Sequence, residues 1–430
     1  MRPSIWDAID AQLLAARTLA QVHEMRATLL TFVYISLLTA CADSAVLIDE
    51  DKASVLDRAL SEALADSDLP GMVALVTSGD SVLYKRALGV TGVGSNEPMA
   101  TDGIFRIHSM TKPITSLALM MLVERGEVDL DAPASRYLPD LRGREVLVSV
   151  DTVENRALTR PASREITVRD LLRHTSGFAY TFSNHELLML EENGGIGGRA
   201  QPILHDPGEQ WTYGVGTAFV GWIVEAVSKQ ALADFLRAEI FEPLGMNDTS
   251  FDLGLSKMDR LVDLVRRVDG VVTSGPRPDS LVGQGRGDGG LVSTADDYAR
   301  FIQLILGRGE RDSVRLLSEA AVEEMSRNQL EGITVVEQPG AIPTLSRPFP
   351  PTGAGQDGFS LAFQVSTGEA EGRRRPGSLS WSGLGNAHFW IDPTTGIGAV
   401  LLFQIFPFYD EAVLDVMNRF EEALYGTVLN

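Results

Sequence analysis

Strand-like segments cluster at the two ends of this chain, and that distribution narrows the folds open to it more than any other feature. Gly71 to Thr77 and Ser81 to Val90 read as two strands joined by the turn residues Ser78-Gly79-Asp80. Near the other end, Leu361 to Ser366, Ser378 to Trp381, Ala387 to Ile391 and Ile397 to Ile405 read the same way, with Asp392-Pro393-Thr394-Thr395-Gly396 turning the last pair. Between the two sets the chain is mostly helical, with long loops at Asn193-Gly198 and Pro339-Gly358. The strands are therefore expected to meet in one antiparallel sheet of a mixed α+β fold, with a helical region at roughly 127–290 inserted. Helices at both ends complete it. Lys52 to Ala65 carries Val55, Leu56, Leu60 and Leu64 along one side, and a last helix is expected from Asp410 to Leu424.

Composition matters for what it excludes. With 430 residues, 44% of them apolar, the chain can bury a large core in one composite unit. A net charge of -21 repels nucleic-acid phosphates, so no nucleic-acid partner is expected. Cys41 is the only cysteine, which rules out an internal disulfide and a cysteine metal cage. His185-Glu186 begins like a zinc motif, but Met189 stands where its second histidine should be. No G-x-x-x-x-G-K-[ST] loop is present. Neither a metal nor a cofactor is expected.

The first 41 residues read separately from 42–430. Residues 29–38 form an apolar run too short to span a bilayer as a helix, preceded by Met25 and Arg26. Leu38-Thr39-Ala40-Cys41 follows and resembles a bacterial lipobox, which would make Cys41 a lipid-anchor site. That reading needs translation to start near Met25 and would place the protein in a bacterial cell envelope. The alternative is an N-terminal helix packed on a cytoplasmic body, since Ile5 to Gln21 is itself helix-like.

Chemistry enters at Ser109-Met110-Thr111-Lys112. The segment that follows, through Leu117, Leu119, Met120, Met121, Leu122 and Val123, is apolar nearly all round and reads as a buried helix. Pro113 suits its first turn. Residues three apart share a helix face, which sets the Lys112 amine beside the Ser109 hydroxyl. A serine needs a base to become a nucleophile, and a desolvated lysine can lose its proton near neutral pH. On its own the pattern is weak: with five lysines in the chain, a serine three residues before one of them arises by accident in about one chain in three. A capping serine beside a snorkelling lysine is the plain alternative.

The neighbours of this motif decide between the two. Asp206 to Gly216 delivers Tyr213 just before an apolar helix at Thr217 to Val227, and Ser380-Trp381-Ser382-Gly383-Leu384-Gly385-Asn386 links two strands. This ordered set resembles the serine β-lactamase and penicillin-binding-protein superfamily, and most of all the family VIII esterases related to class C β-lactamases. Arg173 to Phe178, Gly289 to Tyr298 and Phe389 to Pro393 extend the likeness, which covers about residues 50–427. The resemblance implies a class C β-lactamase-like fold and a carboxylesterase acting on short-chain esters through an acyl-enzyme on Ser109. Lys112 and Tyr213 would handle its proton, and the backbone N–H groups of Ser109 and Leu384 would hold the oxyanion. Trp381, Ser382, Gly383 and Val215 would line the substrate pocket. There is no G-x-S-x-G elbow to support a different hydrolase fold.

Two departures from the β-lactamase pattern favour an ester. Val215 replaces the asparagine of the tyrosine motif, and Trp381-Ser382-Gly383 replaces Lys-Thr-Gly. A β-lactamase or D,D-peptidase remains the alternative, and a non-catalytic cell-wall-binding lipoprotein would be expected to have lost Ser109, Lys112 or Tyr213. His174 is expected to fasten a helix end to the next loop, Ser293-Thr294 to cap a helix, and Gly283 to Gly290 to form a tight loop near the site.

Overall fold

The computed structural model describes residues 46–154, 156–194, 198–283, 285–350 and 352–429. The helix-like stretch Ile5 to Gln21, the apolar run at 29–38 and Cys41 lie outside them.

Helix α1, Glu50–Ala65, starts where Asp49 accepts a hydrogen bond from the Lys52 N–H at 2.9 Å, and it buries Leu56 and Leu60. It leads into strands β1, Gly71–Thr77, and β2, Val82–Gly89. The remaining strands of the main sheet come some 270 residues later. They are β3, Gly358–Phe359, β4, Gln364–Val365, β5, Leu379–Gly383, β6, Ala387–Asp392, and β7, Ile397–Leu402. The order is β3-β4-β5-β6-β7-β1-β2, antiparallel throughout, and Val73 opposite Leu402 joins the two ends of the chain.

Successive strand residues face opposite sides, and here each side has its own partners. Phe389 of β6 turns to Tyr298 of α4, Ala295–Leu306, at 4.9 Å between ring centroids. Its neighbour Trp390 turns the other way, to Phe420 of α5, Glu411–Ala423. The sheet is thus covered by α4 on one face and by the terminal helix α5 on the other, with α1 packed against α5. Further into the same core, α2, Thr111–Glu124, packs against α3, Gly216–Ser228. Every residue of α2 from Thr111 to Leu122 is buried, as the apolar run from Leu117 onward requires.

Several expected boundaries shift for local reasons. The strand expected at Leu361 to Ser366 is two short strands around a turn in which the Ser360 N–H donates to the Phe363 carbonyl at 2.7 Å. The strand expected through Ile405 ends at Leu402, and Ile405–Phe406 pairs in parallel with Val265–Val268 instead. The middle of the chain also holds strands that its helical appearance hid. One pair is Glu145–Asp151 with Arg156–Pro161, and Val265–Val268 pairs with Val271–Ser274. Thr294 caps α4 through the Asp297 N–H, as expected from Ser293-Thr294.

Candidate active site

Ser109 sits in the single turn His108–Met110 that leads into α2. His108 adopts φ 44°, a left-handed conformation unusual outside glycine and common where a site stores strain. The turn is held at its far side by the Tyr298 hydroxyl, which donates to the Met110 carbonyl at 3.0 Å.

Of the polar side chains in the first turns of α2, three bond at or next to the loop that precedes Val292–Ser293. Thr111 Oγ1 accepts from the Leu291 N–H at 3.3 Å, Thr115 donates to the Gly287 carbonyl at 2.8 Å, and Lys112 reaches the Asp288 carbonyl at 2.8 Å. Gly287 allows this, since a Cβ there would stand 2.6 Å from the Thr217 carbonyl oxygen on α3. The loop expected near the site from its glycines is therefore clamped between two helices.

Lys112 Nζ has two further partners, Ser109 Oγ at 3.0 Å and Tyr180 Oη at 3.0 Å. Tyr180 gives its own proton to Asp288 Oδ2 at 2.7 Å, so its oxygen can only accept from Lys112. A neutral amine has two hydrogens and one lone pair. Two hydrogens satisfy Tyr180 and the Asp288 carbonyl, and the lone pair is left for the Ser109 hydroxyl. Burial lowers the Lys112 pKa from its usual 10.5 to about 7, with Asp288 opposing the shift and Arg286 adding to it.

Tyr213 stands beneath this group. Its ring lies 4.7 Å from Lys112 Nζ and 5.3 Å from the Tyr180 ring. The phenol oxygen is buried and has no hydrogen-bond partner of good geometry. Burial raises its pKa above the ordinary tyrosine value, while its polar neighbours Ser109 and Trp381 pull the other way. The loop that carries it is tied down by His174, whose carbonyl accepts from the Thr212 N–H at 2.8 Å just past the helix Val168–Leu172. The His174 ring packs on Tyr213 at 4.8 Å, and burial holds that imidazole neutral.

A cavity of about 320 Å³ opens over the serine, lined by His108, Ser109, Tyr180, Phe182, Arg286, Asp288, Gly289, Gly290 and Leu384. Ser109 and Leu384 thus face the same space. Of the residues expected to line the substrate pocket, Trp381, Ser382, Gly383 and Val215 do not border this cavity. Trp381 is buried against Tyr213 and Phe359, at 4.9 and 5.3 Å. Ser382 points to the α5 face, with its hydroxyl 2.9 Å from His388 Nδ1. Trp381 and Ser382 border a separate cavity of about 400 Å³. Val215 is the buried residue preceding α3. Gly383 packs so tightly on the serine turn that a Cβ would overlap the Ile107 carbonyl. The lining residues Tyr180, Arg286 and Asp288 had no sequence motif of their own. The only pointers were Tyr180's place just after Arg173 to Phe178 and Asp288's place inside the glycine loop.

Ser109 from the turn entering α2, Lys112 from α2 itself and Tyr213 from the loop before α3 thus meet at one place in the fold. Residues 56–424 match the Beta-lactamase family model, and the chain belongs to that family. Among its relatives, monacolin J acid methylbutanoyltransferase from Aspergillus terreus is 30% identical over 412 residues, covering 87% of this chain and 96% of the relative. Esterase EstB from Burkholderia gladioli is 28% identical over 385 residues, covering 81% and 90%. A solved structure of a LovD6 mutant of simvastatin synthase from Aspergillus terreus superposes with a TM-score of 0.75 at 26% identity, covering 88% of this chain and 96% of that one. The relatives include both hydrolases and acyltransferases, which supports an enzyme of that broad type.

Proposed function

We propose that this protein is a carboxylesterase of the family VIII type that works through an acyl-enzyme on Ser109. The observation that carries the reading is the three-partner geometry of Lys112, which leaves its lone pair for the Ser109 hydroxyl at 3.0 Å. Neutral Lys112 takes the serine proton as Oγ bonds to the acyl carbon. The Ser109 and Leu384 backbone N–H groups hold the resulting oxyanion. The bond to the alcohol oxygen then breaks, and the leaving alkoxide takes a proton. Tyr213, kept protonated by burial, is the donor, and it recovers its proton from Lys112. Water reverses the sequence and releases the acid.

Hydrolysis of a p-nitrophenyl acyl ester by the wild-type protein, with a loss of at least about a thousandfold in a folded Ser109→Ala variant, is the expected result. A variant retaining near-normal turnover would place the nucleophile elsewhere.

A second reading has a specific observation behind it. The relatives named as methylbutanoyltransferase and simvastatin synthase share this chain's fold along most of its length. An alcohol could then take the place of water on the same acyl-enzyme. Formation of a new ester when a primary alcohol is added to the assay would support it, and unchanged acid release would exclude it for that alcohol.

The lipid anchor at Cys41 belongs with this proposal. Protein produced in a bacterium from its native start should partition with membranes, and Cys41→Ser should release it. Equal partition of the two would rule the anchor out.

A further inference from the structure

We propose that the Arg286–Asp288 ion pair, joined to Lys112 through the Tyr180 hydroxyl, sets the charge of the catalytic lysine, and that its two members act in opposite directions. The inference rests on the reading of Lys112 as the base. Asp288 holds the lysine twice. Its carbonyl accepts from Nζ at 2.8 Å, and its carboxylate accepts from the tyrosine that accepts from Nζ. Arg286 closes the chain with a forked pair of bonds, Nε to Oδ1 at 3.0 Å and Nη2 to Oδ2 at 2.8 Å. The carboxylate is only 4% exposed, whereas the guanidinium is 44% exposed and lies at the cavity mouth.

The titratable and charged groups facing Lys112 come from every element around it: His108 from the serine turn, His174 and Tyr180 from the loop after Val168–Leu172, Tyr213 from the loop before α3, and Arg286 and Asp288 from the glycine loop. Burial keeps both histidines unprotonated and both tyrosines protonated near neutral pH. That leaves Asp288 and Arg286 as the charges Lys112 feels. A buried carboxylate favours the ammonium, and the guanidinium cancels it. With both present the two fields oppose each other, and the balance between them decides how far desolvation weakens the amine's hold on its proton. Tyr180, Asp288 and Arg286 are positioning residues, because they act through Lys112.

The test is the pH profile of kcat/KM for p-nitrophenyl butyrate. Loss of rate on the acid side reports protonation of the base in the free enzyme. Arg286→Gln leaves the carboxylate uncancelled and should move that limb to higher pH by about one unit, a loss of about tenfold below it. Arg286→Lys, which keeps the charge, should stay close to wild type. Asp288→Asn leaves the guanidinium uncancelled and should move the limb to lower pH. If Asp288→Asn fails to fold, the contrast between Gln and Lys at the more exposed position 286 still decides the matter. Limbs that stay in place, or move in one direction for both residues, would overturn the proposal even if rates fall. Failure of the catalytic reading would look different: wild type inactive on the ester, or Ser109→Ala active.

Discussion

Gly383 of β5 lies flat against the Ile107 carbonyl, so close that no side chain fits between the sheet and the turn carrying Ser109. On the same strand and the same face, Trp381 packs on Tyr213. One strand therefore fixes the height of the serine turn, and its neighbour residue supports the tyrosine. The Trp-Ser-Gly stretch supports the site from beneath, and the cavity over Ser109 is formed in large part by the glycine loop and the segment around Tyr180.

Gly383→Ala should accordingly disturb the site more than the fold. The added methyl must push the turn off the strand, an overpacking cost of about 1–3 kcal/mol, and a shift of about 1 Å at Ser109 would cost about a hundredfold in kcat. Thermal unfolding and ester turnover measured together check this. A variant with full activity would show that the turn moves freely on the sheet.

In the proposed mechanism Lys112 and Tyr213 pass one proton between them and should behave as a unit. Lys112→Ala and Tyr213→Phe should each reduce kcat by orders of magnitude, and the double variant should lose little more than the worse single one. Losses that add on a logarithmic scale would assign them to separate steps.

Selectivity between esters and β-lactams turns on two replaced groups and one unexpected one. The amide expected at Val215 and the cation expected at Trp381 are gone, a loss of about 1 to 3 kcal/mol each for a β-lactam. Arg286 returns a cation to the cavity, yet Asp288 already engages it through two nitrogens. The kcat/KM for a short p-nitrophenyl ester should thus exceed that for nitrocefin by at least about a hundredfold. Comparable values on one preparation would reverse the order of the two substrate classes.

The sheet drawn from both chain ends was legible because its strands are short apolar runs bounded by strong turn residues, and α2 because its run from Leu117 to Val123 is apolar nearly all round and has no other place than the interior. Ser109 and Lys112 were legible only because their i, i+3 spacing came with Tyr213 and the Trp-Ser-Gly stretch in a familiar order. Tyr180, Arg286 and Asp288 were not, since they reach the lysine from two distant loops and only the tertiary fold brings them together. The Glu145–Asp151 hairpin escaped notice for a different reason. Its second strand, Arg156–Pro161, is almost wholly exposed and has no apolar alternation to announce it. The packing of Trp381 on Tyr213 was not legible either, because sequence order next to Ser-Gly says nothing about which side of a strand a residue takes.

The central claim, a covalent acyl group on Ser109, can be read directly by mass. Protein mixed with a p-nitrophenyl ester, quenched in acid during turnover and digested, should show the acyl increment on the peptide containing Ser109 and on no other. Tyr213→Phe should change how much of it accumulates, and Ser109→Ala should show none. An increment on a different peptide, or turnover by wild type with an unmodified Ser109 peptide at every quench time and a Ser109→Ala protein that remains active, would contradict the mechanism.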